Sequence, residues 1–457
     1  MKKKDVVELH VDDLAFGGQG VAKLDGKVIF VQDGLPGDFA KVIINRIKPD
    51  YCEGRVIEII NPSPYRIKPL CQHFEICGGC RWQNFEYDKQ LEYKAEQLRN
   101  NLIRIGGIEN PYLEPIISAK KIYNYRNKME YSFNRNKDGD LFLGLHYAGF
   151  FDKVFNVEKC CLQSELSSEI VVFVRDECSR LKLPAYHIRN HIGLMRFLVV
   201  REGKFTGETL VNIVTSDQFE GYEDRLLGMG NNIASKFENI NSILWTINSK
   251  KANIAIRDML PPMLKNGIIN GRDFIYEKLN NYRFRISADN FFQTNSFQAQ
   301  VLYDTIIEYA EFNELDKVVD LYCGTGTIAI YISNLVKSVV GVEIMASSID
   351  DAYINAKDNG IHNVEFVAGK VEDVVKEIGA YNKMIIDPPR AGLHPKALKG
   401  IIEIKPQTII YVSCNPSTLA RDIAGLVQAG YKLSKATAVD MFPHTYHIES
   451  IAKLELK

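Results

Sequence analysis

"KVVDLYCGTGTIAI", residues Lys317 to Ile330, is the stretch on which the fold turns. It joins an apolar run, KVVDLY, to a helical pattern, TIAIYISNL, through Cys323-Gly324-Thr325-Gly326. Two glycines one residue apart permit a tight turn, and they let the backbone approach a ligand at a helix N-terminus, where unpaired N–H groups face outward. A second apolar run, SVVGVE, ends in Glu343, 17 residues after Gly326, where a carboxylate can accept hydrogen bonds from ribose hydroxyls. Further runs follow, VEFVA, KMIIDPP and TIIYVSC, with helical patterns such as ASSIDDAYINAKDNG and PKALKGIIEI between them. Strand–helix alternation from about residue 315 predicts a parallel, doubly wound α/β sheet.

Upstream the pattern differs. Residues 5 to 60 carry strand-like runs (VIFV, AKVII, GRVIEII) about every ten residues, separated by Gly, Asp and Pro, which predicts a small β-barrel. NPSPYRIKP, Asn61 to Pro69, reads as a boundary. Phe85 to Gly106 has helical periodicity and stops at Gly-Gly. From about 120 to 275 strand and helix signals mix, as in an α+β region. The expected division is therefore a barrel over 1–62, a central domain over 63–280 and the α/β domain over 281–457.

With 457 residues, two to four domains are the natural expectation. A net charge of −1 gives no global positive field, so a nucleic-acid site must come from local patches. MKKKDVVELHV lacks the apolar core of a signal peptide, and no run of about 18 apolar residues is present. A cytoplasmic protein is expected, in which nine cysteines are free, metal-binding or catalytic rather than paired. No feature calls for a membrane or an obligate protein partner.

The glycine loop admits two cofactors. Ala329 satisfies the third position of the dinucleotide fingerprint, which keeps NAD open. D-x-x-x-G-x-G from Asp320, with an acidic end to the second strand, resembles the S-adenosylmethionine (SAM) methyltransferase fold more closely. Lys370, after Gly369, departs from the acidic or amide residue that SAM enzymes often place near the adenine. The fourth run ends in Asp387-Pro388-Pro389, at the strand edge where open α/β sheets bind ligands. A similar Asp-Pro-Pro-aromatic motif receives an exocyclic amine in amino-methyltransferases, but Arg390 stands where the aromatic residue would be and argues against that chemistry.

One strand further, "IIYVSCNPST" presents Cys414 before the strand-breaking Asn415-Pro416. An isolated cysteine at a strand end is usually a buried core residue. The position beside IIDPPR favours a nucleophile instead. Glu449 follows 35 residues later, among Phe442, His444, Tyr446 and His447. A carboxyl in such a partly apolar setting has a raised pKa and suits a general base. A third constellation, "CQHFEICGGC", holds Cys71, Cys77 and Cys80, with Cys160 or Cys161 of "VEKCCLQ" available as a fourth thiol. Four thiolates suit a [4Fe–4S] cluster or zinc, and spacing alone does not separate the two. From Lys120 to Lys137, six Lys/Arg and one acid interleave with Tyr123, Tyr125, Tyr131 and Phe133, a basic and aromatic mix suited to phosphates and unstacked bases.

Two long motifs carry a resemblance. D-P-P-R-x-G followed by I-I-Y-x-S-C-N-x-x-T runs from Asp387 to Thr418, and D-x-F-P-x-T-x-H-x-E from Asp440 to Glu449. Together they resemble the RNA uridine-5-methyltransferase family. The resemblance extends over nearly the whole chain: the N-terminal barrel is similar to a TRAM domain, an OB-like RNA-binding module, and the cysteine loop is similar to the [4Fe–4S] site of the ribosomal-RNA branch. It implies a Rossmann-like SAM methyltransferase domain in which Cys414 is the nucleophile and Glu449 the base. Gln293, Tyr322, Glu343 and Asp387 fall at SAM-contacting positions, beside Gly324 and Gly326. Cys71, Cys77, Cys80 and Cys160 fall at cluster positions, with Cys161 as the alternative to Cys160. The implied reaction is methylation of uridine to 5-methyluridine in RNA, with 23S ribosomal RNA as the first expectation and transfer RNA as the second. An amino-group methyltransferase would need no cysteine, and a catalytically dead RNA-binding or iron–sulfur sensor would not keep Cys414 and Glu449 together.

Overall fold

The structure, a computed structural model, describes residues 1–136, 139–379 and 381–457. Lys137, the last basic residue of the 120–137 stretch, lies outside them.

The C-terminal sheet has seven strands. Its middle follows the strand–helix alternation of the sequence: Lys317–Leu321 is flanked by Ser338–Glu343 and then Val364–Ala368 on one side, and by Lys383–Ile386 and then Thr408–Ser413 on the other, all parallel. Neighbouring residues face opposite ways, as the two-residue period of a strand requires. Val318, Ile385 and Ile410 pack under the helices Ser296–Ala310, Thr327–Ile332 and Ala346–Asp358. Val319, Met384 and Ile409 pack under Tyr87–Arg104, Pro395–Ile404 and Pro416–Gln428. Near-continuous apolar runs are what a sheet covered on both faces needs.

Two features lie beyond the strand–helix alternation read from the sequence. The last strands, Tyr431–Val439 and Glu449–Leu456, form a hairpin, and Glu449–Leu456 inserts antiparallel between its partner and Thr408–Ser413. The helix Tyr87–Arg104, distant in sequence, covers one face, burying Leu98 and Leu102. Each buried leucine contributes roughly 1.5–3 kcal/mol, so this helix is firmly part of the C-terminal layer.

The central sheet runs Ile268–Gly271, Ile240–Ile247, Thr209–Thr215, Met195–Glu202, Lys128–Arg135, Leu141–His146, Val154–Asn156, with Glu165–Arg180 and Glu223–Lys236 packed against it. The hairpin Phe274–Leu279/Tyr282–Ser287 places Ile275, Leu279, Phe284 and Ile286 in the C-terminal core, so the 280/281 limit falls inside it. At the N-terminus, Val6–His10 pairs with Phe39–Ile47, and Asp13–Leu14 pairs with Gly20–Leu24. These are two halves of one bent strand at opposite ends of the sheet order, so the six-stranded sheet closes on itself around Leu9, Ile29, Val42 and Cys52. Among the described residues no helix is long and apolar enough to cross a membrane.

Candidate active site

The parallel strands all deliver their C-terminal ends to one edge of the sheet. Leu321 leads into the glycine loop, Ser338–Glu343 ends in Glu343, Ile386 precedes Asp387, and Ser413 precedes Cys414. The antiparallel final strand begins at that same edge, so its first residue, Glu449, arrives beside them. The ladder ends with Ser413 paired to Ser450, so Cys414 and Glu449 are the adjoining residues of the two strands.

The turn that presents Cys414 is held from two sides. Asn415 caps the helix Pro416–Gln428, its Oδ1 accepting from Ser417 N at 3.0 Å, and Pro416 occupies the first turn, where its missing N–H costs nothing. Asn415 Nδ2 and Thr418 Oγ1 donate to the Arg390 carbonyl at 3.2 and 3.3 Å, which ties the Cys-Asn-Pro turn to the Asp-Pro-Pro-Arg turn.

Charge sets the character of the site. Burial pushes the Cys414 thiol up to about 11; Glu449 and Asp387 add to this, and the neighbouring Arg390 guanidinium opposes it. Glu449 is 3% exposed, and burial together with Asp387 holds its carboxyl well above the usual range, again opposed by Arg390. Burial brings Asp387 up to about 6. The Cys414 thiol and the Glu449 carboxyl thus share one guanidinium. Arg390 also donates to His447 Nδ1 at 3.4 Å, and burial keeps that imidazole neutral, its pKa down at about 4. A thiol, a buried carboxyl and a guanidinium thus lie together at this edge of the sheet. Arg390 entered the sequence reading only as an argument against base stacking, and this contact was missed; the signal for it was a cation directly after Asp387-Pro388-Pro389.

The glycine loop fits a nucleoside-bearing ligand. Tyr322, Gly324 and Gly326 adopt φ of 67°, 54° and 75°, left-handed values that favour glycine. A Cβ on Gly324 would meet nothing within 4 Å, whereas one on Gly326 would lie 2.7 Å from Phe366 Cζ and 3.0 Å from Ala352 Cβ. Gly324 therefore opens a cradle, and Gly326 allows helix–sheet packing. Glu343 accepts from Gly324 N at 3.2 Å and Met345 N at 2.9 Å, which fixes its carboxylate at the mouth of the loop. Asp320 is buried; one oxygen accepts from Ala329 N at 3.2 Å and the other has no partner. An orphaned buried carboxyl oxygen beside an open loop fits a polar ligand. Gln293 is buried in the loop before Ser296–Ala310, its carbonyl accepting from Asn127 Nδ2 at 2.8 Å. Lys370 is exposed, at the start of the short helix Val371–Val374.

The cysteines of the two loops meet. All nine cysteines are free. The Cys71–Cys80 loop docks on the central sheet through Gly78 N to His146 O, 3.1 Å, and on the Asp440–Glu449 segment through Arg81 N and Trp82 N to His444 O, 3.1 and 3.0 Å. Burial raises the Cys77 thiol to about 11, with Cys160 and Cys71 close enough to add to it. Cys80 is raised by burial and then by Cys160 and Cys77. N–H groups of Leu162 and Gln163 point at Cys160, Gly79 N donates to Cys77 Sγ at 3.4 Å, and Gln83 Nε2 to Cys80 Sγ at 3.5 Å. Cys161 instead faces Cys71. Among the described residues no three His, Cys, Asp or Glu side chains are gathered closely enough to hold a metal ion, yet the donors are soft and N–H groups are aimed at their sulfurs, which fits thiolate ligation.

A cleft of about 1110 Å³ runs past these cysteines to Tyr446 and His447, with Arg126, Lys128 and Arg201 on its walls and Phe150, Phe151 and Phe291 on its rim. The aromatic residues of the 120–137 stretch are not presented to it. Tyr125, Tyr131 and Phe133 are buried, and Tyr125 donates to Pro443 O at 3.1 Å. Tyr123 stacks on His444 at 4.4 Å. The expectation of aromatic RNA contacts is corrected for Tyr125, Tyr131 and Phe133, which are core residues, the last two on the inner face of Lys128–Arg135.

Comparison with known proteins matches this architecture. The model of the tRNA (uracil-5-)-methyltransferase family matches residues 86–457, and that of the TRAM domain residues 2–57. RNA methyltransferases of Caldanaerobacter subterraneus subsp. tengcongensis and of Bacteroides thetaiotaomicron are each 37% identical to this chain, over 100% and 97% of it and 100% of either relative. The solved structure of Pyrococcus abyssi tRNA (uracil-54, C5)-methyltransferase in complex with S-adenosyl-L-homocysteine has a TM-score of 0.75 and 30% identity, covering 98% of this chain and 100% of that one. With a doubly wound domain, an open glycine loop and a closed N-terminal barrel already in place, the chain belongs to the RNA (uracil-5-)-methyltransferase family, SAM-dependent enzymes acting on RNA, and carries a TRAM domain at its N-terminus.

Proposed function

We propose that this enzyme methylates carbon 5 of a uridine in 23S ribosomal RNA through a covalent Cys414–uracil adduct, with Glu449 as general base. The observation that supports the reading is the end of the ladder at Ser413–Ser450, with Cys414 the next residue of one strand and Glu449 the preceding residue of the other, near enough for the carboxyl to act on the thiol. Carbon 5 of uracil is a poor nucleophile. Addition of the Cys414 thiolate to carbon 6 turns carbon 5 into an enolate carbon able to take a methyl group. Arg390 stabilises that thiolate, and Glu449 then removes the carbon 5 proton so that sulfur can leave and the double bond reforms. SAM supplies the electrophilic methyl group. Gln293, Tyr322, Gly324, Gly326, Glu343 and Asp387 are the residues assigned to hold it.

Cys71, Cys77, Cys80 and Cys160 are assigned to a [4Fe–4S] cluster. Cys160 is preferred over Cys161 because two backbone N–H groups point at it and because Cys77 and Cys80 both have it as a neighbour. Ribosomal RNA follows from the resemblance of this loop to the ribosomal branch. A second reading, transfer RNA, is favoured by the Pyrococcus abyssi tRNA enzyme, whose likeness extends over 98% of the chain, barrel included. Unmodified 23S ribosomal RNA and transfer RNA transcripts, incubated with the enzyme and methyl-labelled SAM, separate the two. Label recovered as 5-methyluridine from the ribosomal transcript supports the first reading. Label confined to transfer RNA replaces it with the second, and label on an exocyclic amine sinks both.

A further inference from the structure

The helix Tyr87–Arg104 carries Tyr87, Gln90, Lys94 and Gln97 at helical spacing, on one face. Such a stripe normally faces water. Here Gln90 and Lys94 are 0% exposed, and the stripe packs on the segment that leads to Glu449. Lys94 Nζ donates to Asp440 Oδ1 at 2.6 Å and to the Phe442 carbonyl at 3.1 Å. Tyr87 OH donates to Asp440 Oδ2 at 2.8 Å. Gln90 Oε1 accepts from His444 N at 2.9 Å, while its Nε2 donates to Trp82 O and Phe85 O. From the other side, Asn295 Nδ2 donates to Met441 O at 2.9 Å and Gln298 Nε2 to Asp440 O at 3.2 Å.

A fully buried ion pair is a weak source of stability, since apolar residues of the same volume serve as well. What this one does is fix a place. Asp440 follows Val439, and Val439 is the ladder partner of Glu449, so the anchored residue adjoins the pair that sets the carboxyl. We infer that Lys94, at the centre of this stripe, is a positioning residue for the general base, holding the Asp440–His444 segment so that Glu449 meets the carbon 5 proton during elimination. The inference rests on the reaction proposed above. In that reaction the sulfur–carbon 6 bond and the new carbon–methyl bond form without Glu449. Only the last step needs it: the carboxylate takes the carbon 5 proton, those electrons form the carbon 5–carbon 6 double bond, and sulfur leaves as thiolate. A displaced base therefore slows release and leaves addition intact.

Full-length Lys94→Met and Asp440→Asn are assayed on ordinary uridine RNA with SAM, quenched in denaturant, and scored for turnover and for RNA covalently attached to protein. Asp440→Asn keeps the volume and carries the test if Lys94→Met does not fold. A displacement of the order of 1 Å predicts turnover down about 100-fold with KM for RNA hardly moved, and a protein–RNA adduct that accumulates, the same outcome expected of Glu449→Gln. Unchanged turnover overturns the inference, and so does reduced turnover without accumulated adduct, which is what a merely structural pair would give. Wild-type enzyme that fails to be trapped by 5-fluorouridine RNA would instead sink the reaction itself.

Discussion

Removing the guanidinium beside Cys414 tests how the thiol becomes reactive. Arg390 is a cation acting against the burial that raises this thiol to about 11. A hydrogen bond to a charged group contributes about 1.5–3 kcal/mol, and because Arg390 is exposed the low end applies. About 1.4 kcal/mol is one pKa unit, so Arg390→Met should move the thiol up by about one unit. At pH 8, below both values, the thiolate fraction falls about tenfold. The less acidic thiolate is the better nucleophile, with a Brønsted slope of about 0.4–0.5, which restores a factor of about three. The net expectation is alkylation by iodoacetamide about three- to fourfold slower, read by mass spectrometry of the Cys414 peptide without RNA or SAM. Arg390→Lys keeps a cation and should fall between the two. Equal rates for wild type and Arg390→Met would refute the assignment of Arg390 as the thiolate's counter-charge. Equal losses in Met and Lys would show that shape matters and charge does not.

Glu449→Gln should lower turnover by about 10²–10⁴-fold, the range for a lost general base, while a covalent protein–RNA species builds up on ordinary uridine; loss of turnover with no such species contradicts its role. Gly324→Ala and Gly326→Ala both place a side chain at positive φ, but the first Cβ enters open space and the second meets Phe366. Calorimetry should show SAM affinity lost chiefly in Gly324→Ala, and thermal unfolding should show Gly326→Ala the less stable by about 1–3 kcal/mol, from overpacking. Anaerobic purification should yield about four iron per chain, lowered by Cys160→Ser and retained in Cys161→Ser; stoichiometric zinc without iron, or iron indifferent to Cys160, refutes the ligand set.

The parts of the fold legible in the sequence were those governed by local period. KVVDLY, SVVGVE, VEFVA, KMII and TIIYVS all became strands of one sheet because each is a short apolar run bounded by turn residues, and Gly324 and Gly326 sit where a strand must turn into a helix. Residues whose placement depends on distant partners were not legible. Nothing local in "YDKQLEYKAEQLRNN" says that Lys94 is buried rather than solvated, because its partner Asp440 lies 346 residues away. Tyr125, Tyr131 and Phe133 looked available to RNA because strand alternation fixes which residues share a face but not which face is covered. The two final strands were not among the five read from the sequence, since no sequence signal marks a final strand as inserted antiparallel. Yet that reversal is what delivers Glu449 to the edge where Cys414 ends its strand.

The central claim is that Cys414 bonds to carbon 6 of a uracil. Incubation with SAM and RNA carrying 5-fluorouridine tests it most directly, because fluorine at carbon 5 cannot leave as a proton and the adduct cannot resolve. The account predicts a denaturation-resistant protein–RNA complex whose mass maps to the Cys414 peptide and which Cys414→Ala abolishes. A Cys414→Ala enzyme that still methylates uridine, or a complex mapped to another cysteine, would contradict it.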